Sequence, residues 1–258
     1  MIRIILSGCC GRMGKCVASM CRDKSEEYRI VAGVDVAASD ETCGFPVYAD
    51  ISLVTEKADV IIDFSFHAVT EKVLAFAERS SLPVVLCTTG HTPEELDTVS
   101  AYSKKVAIFK SANMSVGIAL MTELCKRAAL TLGDDFDIEL VEKHHNQKLD
   151  APSGTALMIA DAISSVLPEK YEYVYDRHSK HEKRTKKEIG ISSVRAGTIV
   201  GEHEVIFGGR DEIITVSHTA LSREVFASGA LRAAKYMCGK KMPAGFYNME
   251  TLLADEFM

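Results

Sequence analysis

The sequence predicts an α/β fold, with a doubly wound parallel sheet followed by a second α+β domain that is built on an open mixed sheet. Short apolar runs alternate with helical stretches through residues 1–110, and repeats of this kind require parallel pairing with right-handed crossovers. After residue 135 the apolar runs lose most of their intervening helices. Clustered strands of that kind indicate a separate sheet with mixed or antiparallel pairing.

The first sheet is predicted from five apolar runs, each short enough for a strand that is covered on both faces. They occupy residues 2–6, 30–34, 59–64, 83–87 and 106–109. Predicted helices lie between them over residues 12–22, 68–79 and 93–103. A last amphipathic helix, over residues 223–237, is expected to return to this sheet.

The second domain opens with a helix predicted over residues 115–132. Val116, Leu120, Leu124 and Ala128 are spaced four apart on one face, and Ser115 is available as the N-cap. Four strands are predicted over residues 136–141, 191–194, 204–207 and 212–217, with one clear helix among them over residues 155–166. This clustering is the basis for the mixed sheet.

Composition argues against several classes of protein. The 258 residues carry 30 Lys and Arg against 36 Asp and Glu, so no basic field attracts nucleic acid or an anionic membrane. No run of about 18 uncharged apolar residues suggests a membrane span, and the N-terminal apolar run is too short for a signal peptide. The eight cysteines contain no Cys-x-x-Cys pair, which argues against a zinc or thioredoxin-like motif. These features favour a cytoplasmic protein with small-molecule chemistry and no metal.

A glycine-rich turn directly follows the first predicted strand and opens the first helix. Gly8, Gly11 and Gly14 form the pattern G-x-x-G-x-x-G, in which Cys10 stands where the commoner Rossmann-type pattern has its second glycine. Glycines here let the backbone approach a pyrophosphate, whose charge then meets free amides at the helix N-terminus. Asp35 ends the second strand, 21 residues after Gly14, where a carboxylate accepts hydrogen bonds from ribose. The pattern predicts dinucleotide binding, with a structural turn and a solvated Asp35 as the alternatives.

Two further loops follow strands of the same predicted sheet. Phe64 ends the strand over residues 59–64, and Thr88, Thr89 and Gly90 follow the strand over residues 83–87. Ligands in this fold bind beyond the carboxyl ends of the strands, so these residues are candidate contacts of the nicotinamide and ribose. Taken singly, each loop is also an ordinary turn.

A polar segment over residues 142–155 combines titratable side chains with a helix N-terminus. Donors and titratable protons come from three side chains, His144, His145 and Lys148. Hydroxyls and free amides at the helix start come from Ser153, Gly154 and Thr155. This combination suits a carboxylate substrate. The alternatives are a structural loop and a metal site, which lacks a third ligand at a recognised spacing.

The other histidines and a basic stretch have simpler interpretations. His203 is a candidate to line a site, whereas the remaining lone histidines are interpreted as surface or capping residues: His67, His91, His178, His181 and His218. Residues 176–188 hold six basic and three acidic residues but no aromatic residues for base stacking. A solvated loop is therefore preferred to a nucleic-acid patch, and the rim of a dicarboxylate entrance is a third alternative.

The sequence resembles the 4-hydroxy-tetrahydrodipicolinate reductase family, formerly called dihydrodipicolinate reductases, over essentially the whole chain. The most specific likeness is the histidine–lysine segment over residues 142–156, and further likeness lies in residues 8–14, 87–90, 111–117, 194–197, 201–203 and 245–249. Two residues depart from the family pattern. Cys87 stands where the family often has the first glycine of Gly-Thr-Thr-Gly, and Cys10 replaces a small residue of the turn.

The resemblance implies a homotetrameric enzyme of lysine (diaminopimelate) biosynthesis that reduces a small cyclic dicarboxylate with NADH or NADPH. Residues 1–113 and 224–258 would form the dinucleotide-binding domain, and residues 114–223 the substrate-binding and oligomerisation domain. His144 corresponds to the catalytic acid/base and Lys148 to the proton donor, although the residues themselves leave the donor open between the two. The implied substrate contacts are His145, Lys148, Ser153, Gly154 and Thr155. The implied cofactor contacts are Gly8, Gly11, Arg12, Met13, Gly14, Asp35, Phe64, Thr88, Thr89, Gly90, Ala112, Asn113 and Met114.

Cofactor preference depends on the charge beside the ribose. Asp35 can accept hydrogen bonds from both ribose hydroxyls of NADH but repels the 2′-phosphate of NADPH. Residues 36–38 follow it without a cation, and only Arg12 and Lys15 are expected to compensate. We therefore expect NADH to be used as well as NADPH or better.

Two other functions remain open at this point. One is another two-domain NAD(P)-dependent dehydrogenase of amino-acid precursors, although the sequence lacks a nucleophile for aldehyde–ester chemistry. The other is a nucleotide-sensing regulator, for which the chain has no room left for a DNA-reading helix pair.

Overall fold

The computed structural model describes residues 1–37, 43–239 and 242–256. The strands are β1 (Ile2–Ser7), β2 (Tyr28–Val34), β3 (Val47–Tyr48), β4 (Val60–Asp63), β5 (Val84–Leu86), β6 (Ala107–Phe109), β7 (Asp137–His144), β8 (Glu172–Val174), β9 (Glu188–Arg195), β10 (Gly201–Gly208), β11 (Ile213–Ala220) and β12 (Gly245–Tyr247). The α-helices are α1 (Arg12–Asp23), α2 (Thr70–Ser80), α3 (Pro93–Ser103), α4 (Val116–Leu132), α5 (Gly154–Val166), α6 (Glu224–Gly239) and α7 (Met249–Glu256). The chain divides into two compact units, Met1–Ser115 with Glu224–Met258, and Val116–Arg223.

The first unit is built on a seven-stranded sheet in the order β12-β6-β5-β4-β1-β2-β3, in which every pairing is parallel. Helices α2 and α3 contribute to a core that includes Ile5, Leu74 and Ile108. Ile4 and Leu6, which alternate with Ile5 along β1, are also fully buried, so both faces of the sheet are covered. Helix α6 packs against α1 and over β4, β5 and β6. The direction of winding changes between β1 and β4.

The second unit is built on a five-stranded mixed sheet in the order β11-β10-β7-β9-β8. Central strand β7 is antiparallel to β10 and parallel to β9. Helices α4 and α5 share a core with this sheet that includes Met121, Leu140, Ile159 and Phe207. The predicted α/β class, with its doubly wound Rossmann-type sheet and a second α+β domain on an open mixed sheet, is confirmed.

The buried face of α4 differs from the one that the spacing of apolar residues suggested. Leu120 and Leu124 are 39% and 50% exposed. The buried residues are instead Ile118, Met121, Cys125 and Ala129. This helix carries apolar side chains on more than one face, so their spacing predicts the helix but not which face the sheet covers.

Four short elements were not predicted from the sequence: β3, β8, β12 and α7. The three strands contain only two or three residues each, which is too few to show a period of two.

Within the described ranges, no helix combines the length and the apolar character that crossing a membrane requires.

Candidate active site

The glycine-rich turn lies where the winding of the first sheet changes direction, directly after β1. Gly8 adopts a φ of +77°, and a Cβ atom on it would lie 2.6 Å from the carbonyl carbon of Phe64, one residue beyond β4. A Cβ atom on Gly14 would lie 2.2 Å from the carbonyl oxygen of Gly8. Both positions require glycine, because a side chain would collide with backbone atoms.

The first turn of α1 offers backbone amides to an anion. Its N-cap is Gly11, which has no side chain to satisfy them. Gly11 and Arg12 are exposed and Met13 is half-buried, so this turn faces solvent. Amides at a helix N-terminus hold phosphate groups, and the glycine turn beside them fits the pyrophosphate of a dinucleotide.

Asp35 lies just beyond β2, where two backbone amides anchor its carboxylate. Oδ2 accepts a hydrogen bond from the Cys10 amide at 2.9 Å, and Oδ1 accepts one from the Ala37 amide at 3.0 Å. Asp35 lines a cavity of about 320 Å³ together with three other predicted cofactor contacts, Gly8, Gly11 and Phe64. Each carboxylate oxygen keeps a lone pair for a further donor, so the arrangement suits ribose hydroxyls.

A lysine that the sequence did not single out lines the same cavity. Lys72 lies on α2, with its Nζ 3.1 Å from Oδ2 of Asp50. Lys72 is thus a cation beside this cavity that the sequence analysis, which named only Arg12 and Lys15, did not consider. Lys72 is 37 residues away from Asp35 in the sequence, and only the packing of α2 beside the cavity brings the two together.

A buried aspartate joins the loops that follow β4 and β5. Asp63 accepts hydrogen bonds from Oγ1 of Thr88 at 2.6 Å and from Oγ of Ser65 at 2.5 Å. Lys110 donates to the Thr88 carbonyl at 3.1 Å, and burial lowers the pKa of this lysine. Thr88 is itself buried, whereas residues 89–90 are exposed. Thr88 therefore shapes the loop, and its two neighbours present the surface that a ligand can contact.

The last predicted cofactor segment, residues 112–114, follows β6 at the carboxyl edge of the sheet. Ala112 is exposed, and Oδ1 of Asn113 accepts a hydrogen bond from the Ser115 amide at 2.8 Å. Met114 is buried beside Gly229, where a Cβ atom would lie only 1.6 Å from the Met114 carbonyl oxygen. Neither this segment nor Thr88–Gly90 is among the residues that line the 320 Å³ cavity.

In the second unit, a buried glutamate lies at the centre of the candidate substrate site. Strand β7 extends to His144, three residues beyond the predicted end, and Glu142 lies within it with no exposed surface. Arg195 donates two hydrogen bonds to the carboxylate, at 2.8 and 2.7 Å, and the Ser153 amide donates a third at 3.2 Å. Burial raises the pKa of Glu142, but hydrogen bonds from Arg195, Ser193 and His144 outweigh it and lower the pKa to about 2.

His144 is oriented by this glutamate. Its Nδ1 lies 2.6 Å from Oε2 of Glu142, and its ring contacts the His203 ring edge-on, with the centroids 5.3 Å apart. A Cβ atom on Gly201 would lie 3.1 Å from Nε2 of His144. The ionised carboxylate accepts a hydrogen bond from Nδ1–H of His144, so Nε2 is the ring nitrogen left for other partners.

His203 belongs to the same cluster. It is buried on β10, and its Nε2 lies 3.2 Å from Oγ of Ser153. Burial and the neighbouring His144 lower the pKa of His203 to about 4, so the ring is neutral near pH 7. Its Nδ1 has no hydrogen-bond partner among the described residues. Sequence reasoning assigned this histidine no definite role, because β10 pairs with β7 from a distant part of the chain.

Lys148 and His145 lie on the loop that follows β7. Nζ of Lys148 lies 2.7 Å from Oδ1 of Asp150, and the Lys148 amide donates to the His145 carbonyl at 3.1 Å. Hydrogen bonds from Lys148 and from the Gly154 amide lower the pKa of Asp150. Arg195 donates to the Asp150 carbonyl at 2.6 Å, which ties the loop to β9.

The N-terminus of α5 combines a side-chain cap with open space beside its first turn. Oγ of Ser153 accepts a hydrogen bond from the Ala156 amide at 3.1 Å and so caps the helix. No atom lies within 4 Å of a Cβ placed on Gly154, which leaves open space at this terminus. Thr155 is half-buried in the first turn. Ser153 thus caps the helix, and Gly154 and Thr155 lie in its first turn, where backbone amides can hold an anion.

The basic loop over residues 176–188 contacts the opposite end of β7. Arg177 lies 2.8 Å from Glu139 and 2.9 Å from Glu188, and Arg184 also lies 2.8 Å from Glu139. His144 ends the strand five residues after Glu139, about 16 Å away along β7. These contacts neutralise acidic residues of the sheet and do not support the suggestion that the loop rims the dicarboxylate site.

The predicted residues therefore form two groups. One group surrounds the glycine-rich turn and the carboxyl edge of the parallel sheet, and the other surrounds Glu142 at the end of β7. Arg195 and Glu142 received no role from the residues alone, and His203 was only a candidate to line a site. One sequence feature could have linked Glu142 to His144: their i, i+2 spacing places both on one face of a strand.

Comparison with known proteins agrees with this geometry. Residues 2–114 match the family model "Dihydrodipicolinate reductase, N-terminus", and residues 117–253 match "Dihydrodipicolinate reductase, C-terminus". The chain is 55% identical to a 4-hydroxy-tetrahydrodipicolinate reductase of Caldanaerobacter subterraneus subsp. tengcongensis, over 98% of both chains. It is 49% identical to the enzyme of the same name from Clostridium tetani, over 98% of this chain and 97% of the relative.

A solved structure shares both the fold and a recognisable part of the sequence. It is a dipicolinate-bound dihydrodipicolinate reductase from Paenisporosarcina sp. TG-14, with a TM-score of 0.76 and 27% identity over 96% of this chain and 97% of that one. The two family models together cover almost all of the chain, and the relatives match it from end to end. The chain therefore belongs to the dihydrodipicolinate reductase family of NAD(P)H-dependent oxidoreductases.

Proposed function

We propose that this protein reduces 4-hydroxy-tetrahydrodipicolinate to tetrahydrodipicolinate with NADH or NADPH, with the 4-hydroxyl group leaving as water, as a step of lysine (diaminopimelate) biosynthesis. Relatives with 55% and 49% identity carry the name of this activity. In the first unit, the glycine-rich turn suits the pyrophosphate of a dinucleotide, and the anchored Asp35 suits its ribose. In the second unit, the donors around Glu142 can form hydrogen bonds with the carboxylates of a dicarboxylate.

One observation supports the dicarboxylate substrate most directly. The Asp150 carboxylate receives hydrogen bonds from Lys148 and from the Gly154 amide, so these donors already hold a carboxylate of the chain itself. Asp150 is 56% exposed and therefore can be displaced by a ligand. The same donors belong to the set inferred for the substrate: His145, Lys148, Ser153, Gly154 and Thr155. A solved relative is described as bound to dipicolinate, a planar dicarboxylate.

Groups of the chain itself stabilise the charge that develops during reduction. When bound, the nicotinamide cofactor supplies a hydride to the substrate ring. Electron density moves toward the ring nitrogen and a conjugated carboxylate, where cationic donors stabilise it. We assign proton transfer to Lys148 and His144, because Nζ of Lys148 pairs with the exposed Asp150 carboxylate, which a ligand can replace, and His144 presents Nε2. A general acid of this kind contributes typically 10²–10⁴-fold in rate.

The cofactor is assigned to residues of the first unit. The inferred contacts are Gly8, Gly11, Arg12, Met13, Gly14, Asp35, Phe64, Thr88, Thr89, Gly90, Ala112, Asn113 and Met114. Asp35 favours NADH, and the cations Arg12, Lys15 and Lys72 moderate its effect on NADPH. NADH is proposed to be used as well as NADPH or better.

The assembly is proposed to be a cytoplasmic homotetramer in which the second unit carries the subunit contacts. Apolar side chains of that unit are exposed to solvent: Ile213 is 70% exposed, Leu124 50% and Val194 40%. Burying such side chains between subunits is favourable. Sedimentation velocity of the purified protein measures the number of subunits directly.

The test of the activity is a spectroscopic assay of the purified protein. NADH or NADPH is mixed with 4-hydroxy-tetrahydrodipicolinate made in the cuvette by the preceding synthase, and oxidation of the cofactor is followed. Oxidation that depends on the synthase product supports the proposal. If NADH or NADPH is oxidised with other amino-acid precursors but not with the synthase product, the protein is a different dehydrogenase. Cofactor binding without any oxidation would indicate a sensor.

A further inference from the structure

Three cysteine thiols meet at the glycine-rich turn. Sγ of Cys9 lies 3.8 Å from Sγ of Cys10, and the Cys43 sulfur lies within 4.8 Å of both. Cys9 is buried, whereas Cys10 and Cys43 are partly exposed. None of the cysteines that the structure describes forms a disulfide. Cys43 is more than 30 residues away from Cys9 and Cys10 in the sequence, so no local motif indicates the cluster.

The spacing of these sulfurs matches that of ligands around one metal ion. A zinc–thiolate bond is about 2.3 Å long, so two thiolates of one tetrahedral zinc lie about 3.8 Å apart. The Cys9 and Cys10 sulfurs already have this separation. Cys43 needs to approach by no more than about 1 Å to complete three equal edges.

The surrounding backbone holds the first two sulfurs in place. Gly33 on β2 gives the Cys9 sulfur its space, because a Cβ atom there would lie 2.7 Å from Sγ of Cys9. The same Cβ would lie 2.7 Å from the ring of Phe45. The Cys10 amide is fixed by its 2.9 Å hydrogen bond to Asp35. The Cys9 side chain is therefore packed against β2, and the backbone of Cys10 is held by Asp35.

From this geometry we propose that Cys9, Cys10 and Cys43 bind one thiophilic divalent cation, Zn²⁺ or Cd²⁺, with water as the fourth ligand. Sulfur donors select such ions over Mg²⁺ and Ca²⁺. The site lies outside the residues assigned above to the cofactor or the substrate, although it is in the same turn. It is a binding site in addition to the reductase function and does not depend on it.

The charge of the site favours a cation over bare thiolates. Burial raises the pKa of the Cys9 thiol and of the Cys10 thiol, and the Asp35 carboxylate raises both further. A bound divalent cation displaces the thiol protons, and its charge offsets both the thiolates and Asp35.

The experiment uses the full chain, reduced and stripped of metal, without cofactor. Cd²⁺ is titrated while the thiolate-to-metal charge-transfer absorption is recorded, and Zn²⁺ binding is measured by equilibrium dialysis. We expect one ion per chain. Loss of a group that merely supports a ligand weakens metal binding typically 10–100-fold, so loss of a ligand in Cys10→Ser or Cys43→Ser should weaken it by more than about 100-fold.

Cys16→Ser is the matched control, because Cys16 is a partly exposed thiol on α1 outside the cluster. It should bind as tightly as the unmodified chain. Cys10 and Cys43 are partly exposed, so both variants should fold, and circular dichroism checks this. The proposal is overturned if the unmodified chain binds no stoichiometric ion, or if either cluster variant binds as tightly as Cys16→Ser. In both cases the sulfurs form only a hydrogen-bonded contact.

Discussion

Nδ1 of His144 lies 2.6 Å from Oε2 of Glu142, two residues earlier on β7. Arg195 engages both oxygens of the same carboxylate and keeps it ionised. An ionised carboxylate accepts but does not donate, so the histidine carries its proton on Nδ1. The pair thus decides which nitrogen of His144 is presented, and Glu142 acts through His144 as a positioning residue.

The first prediction removes the charge of that glutamate. Glu142→Gln should lower kcat by about 100-fold, within the range of general acid–base effects, because His144 loses its orientation and Arg195 loses its counter-charge. The affinity for NADH, measured by fluorescence titration, should stay within twofold, because the cofactor is assigned to the other unit. Glu202→Gln is the control, since Glu202 is a partly exposed glutamate that pairs with Lys143 on β7. Normal kcat in a folded Glu142→Gln variant would contradict this role.

A second prediction concerns stability in acid. The pKa of Glu142 is about 2 in the folded protein, below the ordinary value of 4.5. The ionised carboxylate therefore stabilises the fold above about pH 4.5, and this contribution is lost as the pH falls toward 2. The free energy of unfolding, measured in urea, should differ most between the unmodified chain and Glu142→Gln near pH 7. The difference should shrink below pH 5, and a constant difference would refute the assignment.

The third prediction is that His203 stays neutral far below the usual range of histidine. Its pKa is about 4, so its ring signal in an NMR titration should stay in the neutral form until the pH approaches that value. The missing signal in His203→Gln assigns the resonance, and the urea-unfolded chain gives the reference near 6.5. The folded pKa lies below the unfolded one, so this histidine's contribution to stability is complete above pH 6.5 and is lost as the pH falls to 4. A midpoint near 6.5 in the folded chain would refute the buried neutral state.

Local signals explain why most of the fold was predictable from the sequence. Helix α3 has the predicted bounds, because Thr92 and Glu95 form a capping box and Pro93 starts the helix. The long apolar strands of the first sheet needed only composition and spacing. By contrast, β12 is a three-residue strand that pairs with β6 from the far end of the chain, and no local pattern encodes such a contact.

Residues of the candidate site could be predicted where they lie in one sequence motif. Those that reach the site through pairing of distant strands could not. Lys148 and His144 lie in one segment and were singled out from the sequence. Arg195 and His203 join them through the register of β9 and β10 on either side of β7. The end of β7 was misplaced at residue 141, because the charged residues that follow look like a loop when their burial is unknown. The i, i+2 relation of Glu142 and His144 was hidden for the same reason.

The fourth prediction concerns Lys148, whose Nζ is 2.7 Å from Oδ1 of Asp150. Lys148→Ala should lower kcat by at least about 100-fold while the thermal melting temperature changes little, because this side chain lies on a polar loop and acts on charge in the transition state. Lys143→Ala is the control, since Lys143 is a neighbouring lysine that pairs with Glu202. If the folded Lys148→Ala variant turns over normally, Lys148 has no part in the chemistry and His144 remains as the proton donor.

The last prediction is cofactor choice, which depends on the balance between Asp35 and the cations around it. Asp35 is anchored by the amides of Cys10 and Ala37, so it cannot easily turn away from a 2′-phosphate. We therefore expect kcat/KM for NADH to equal or exceed that for NADPH. Lys72 lines the same cavity, 3.1 Å from Asp50, and together with Arg12 it should keep the difference modest.

Two variants separate these charges. Asp35→Ala should shift the ratio of kcat/KM toward NADPH by about tenfold, equivalent to about 1.4 kcal/mol, because the repulsion is removed. Lys72→Ala should shift it toward NADH, and Lys104→Ala, an exposed lysine after α3, should leave it unchanged. Both cofactors must be compared at one ionic strength, since salt screens the phosphate more than the hydroxyl. A tenfold preference of the unmodified chain for NADPH would show that Arg12, Lys15 and Lys72 outweigh Asp35.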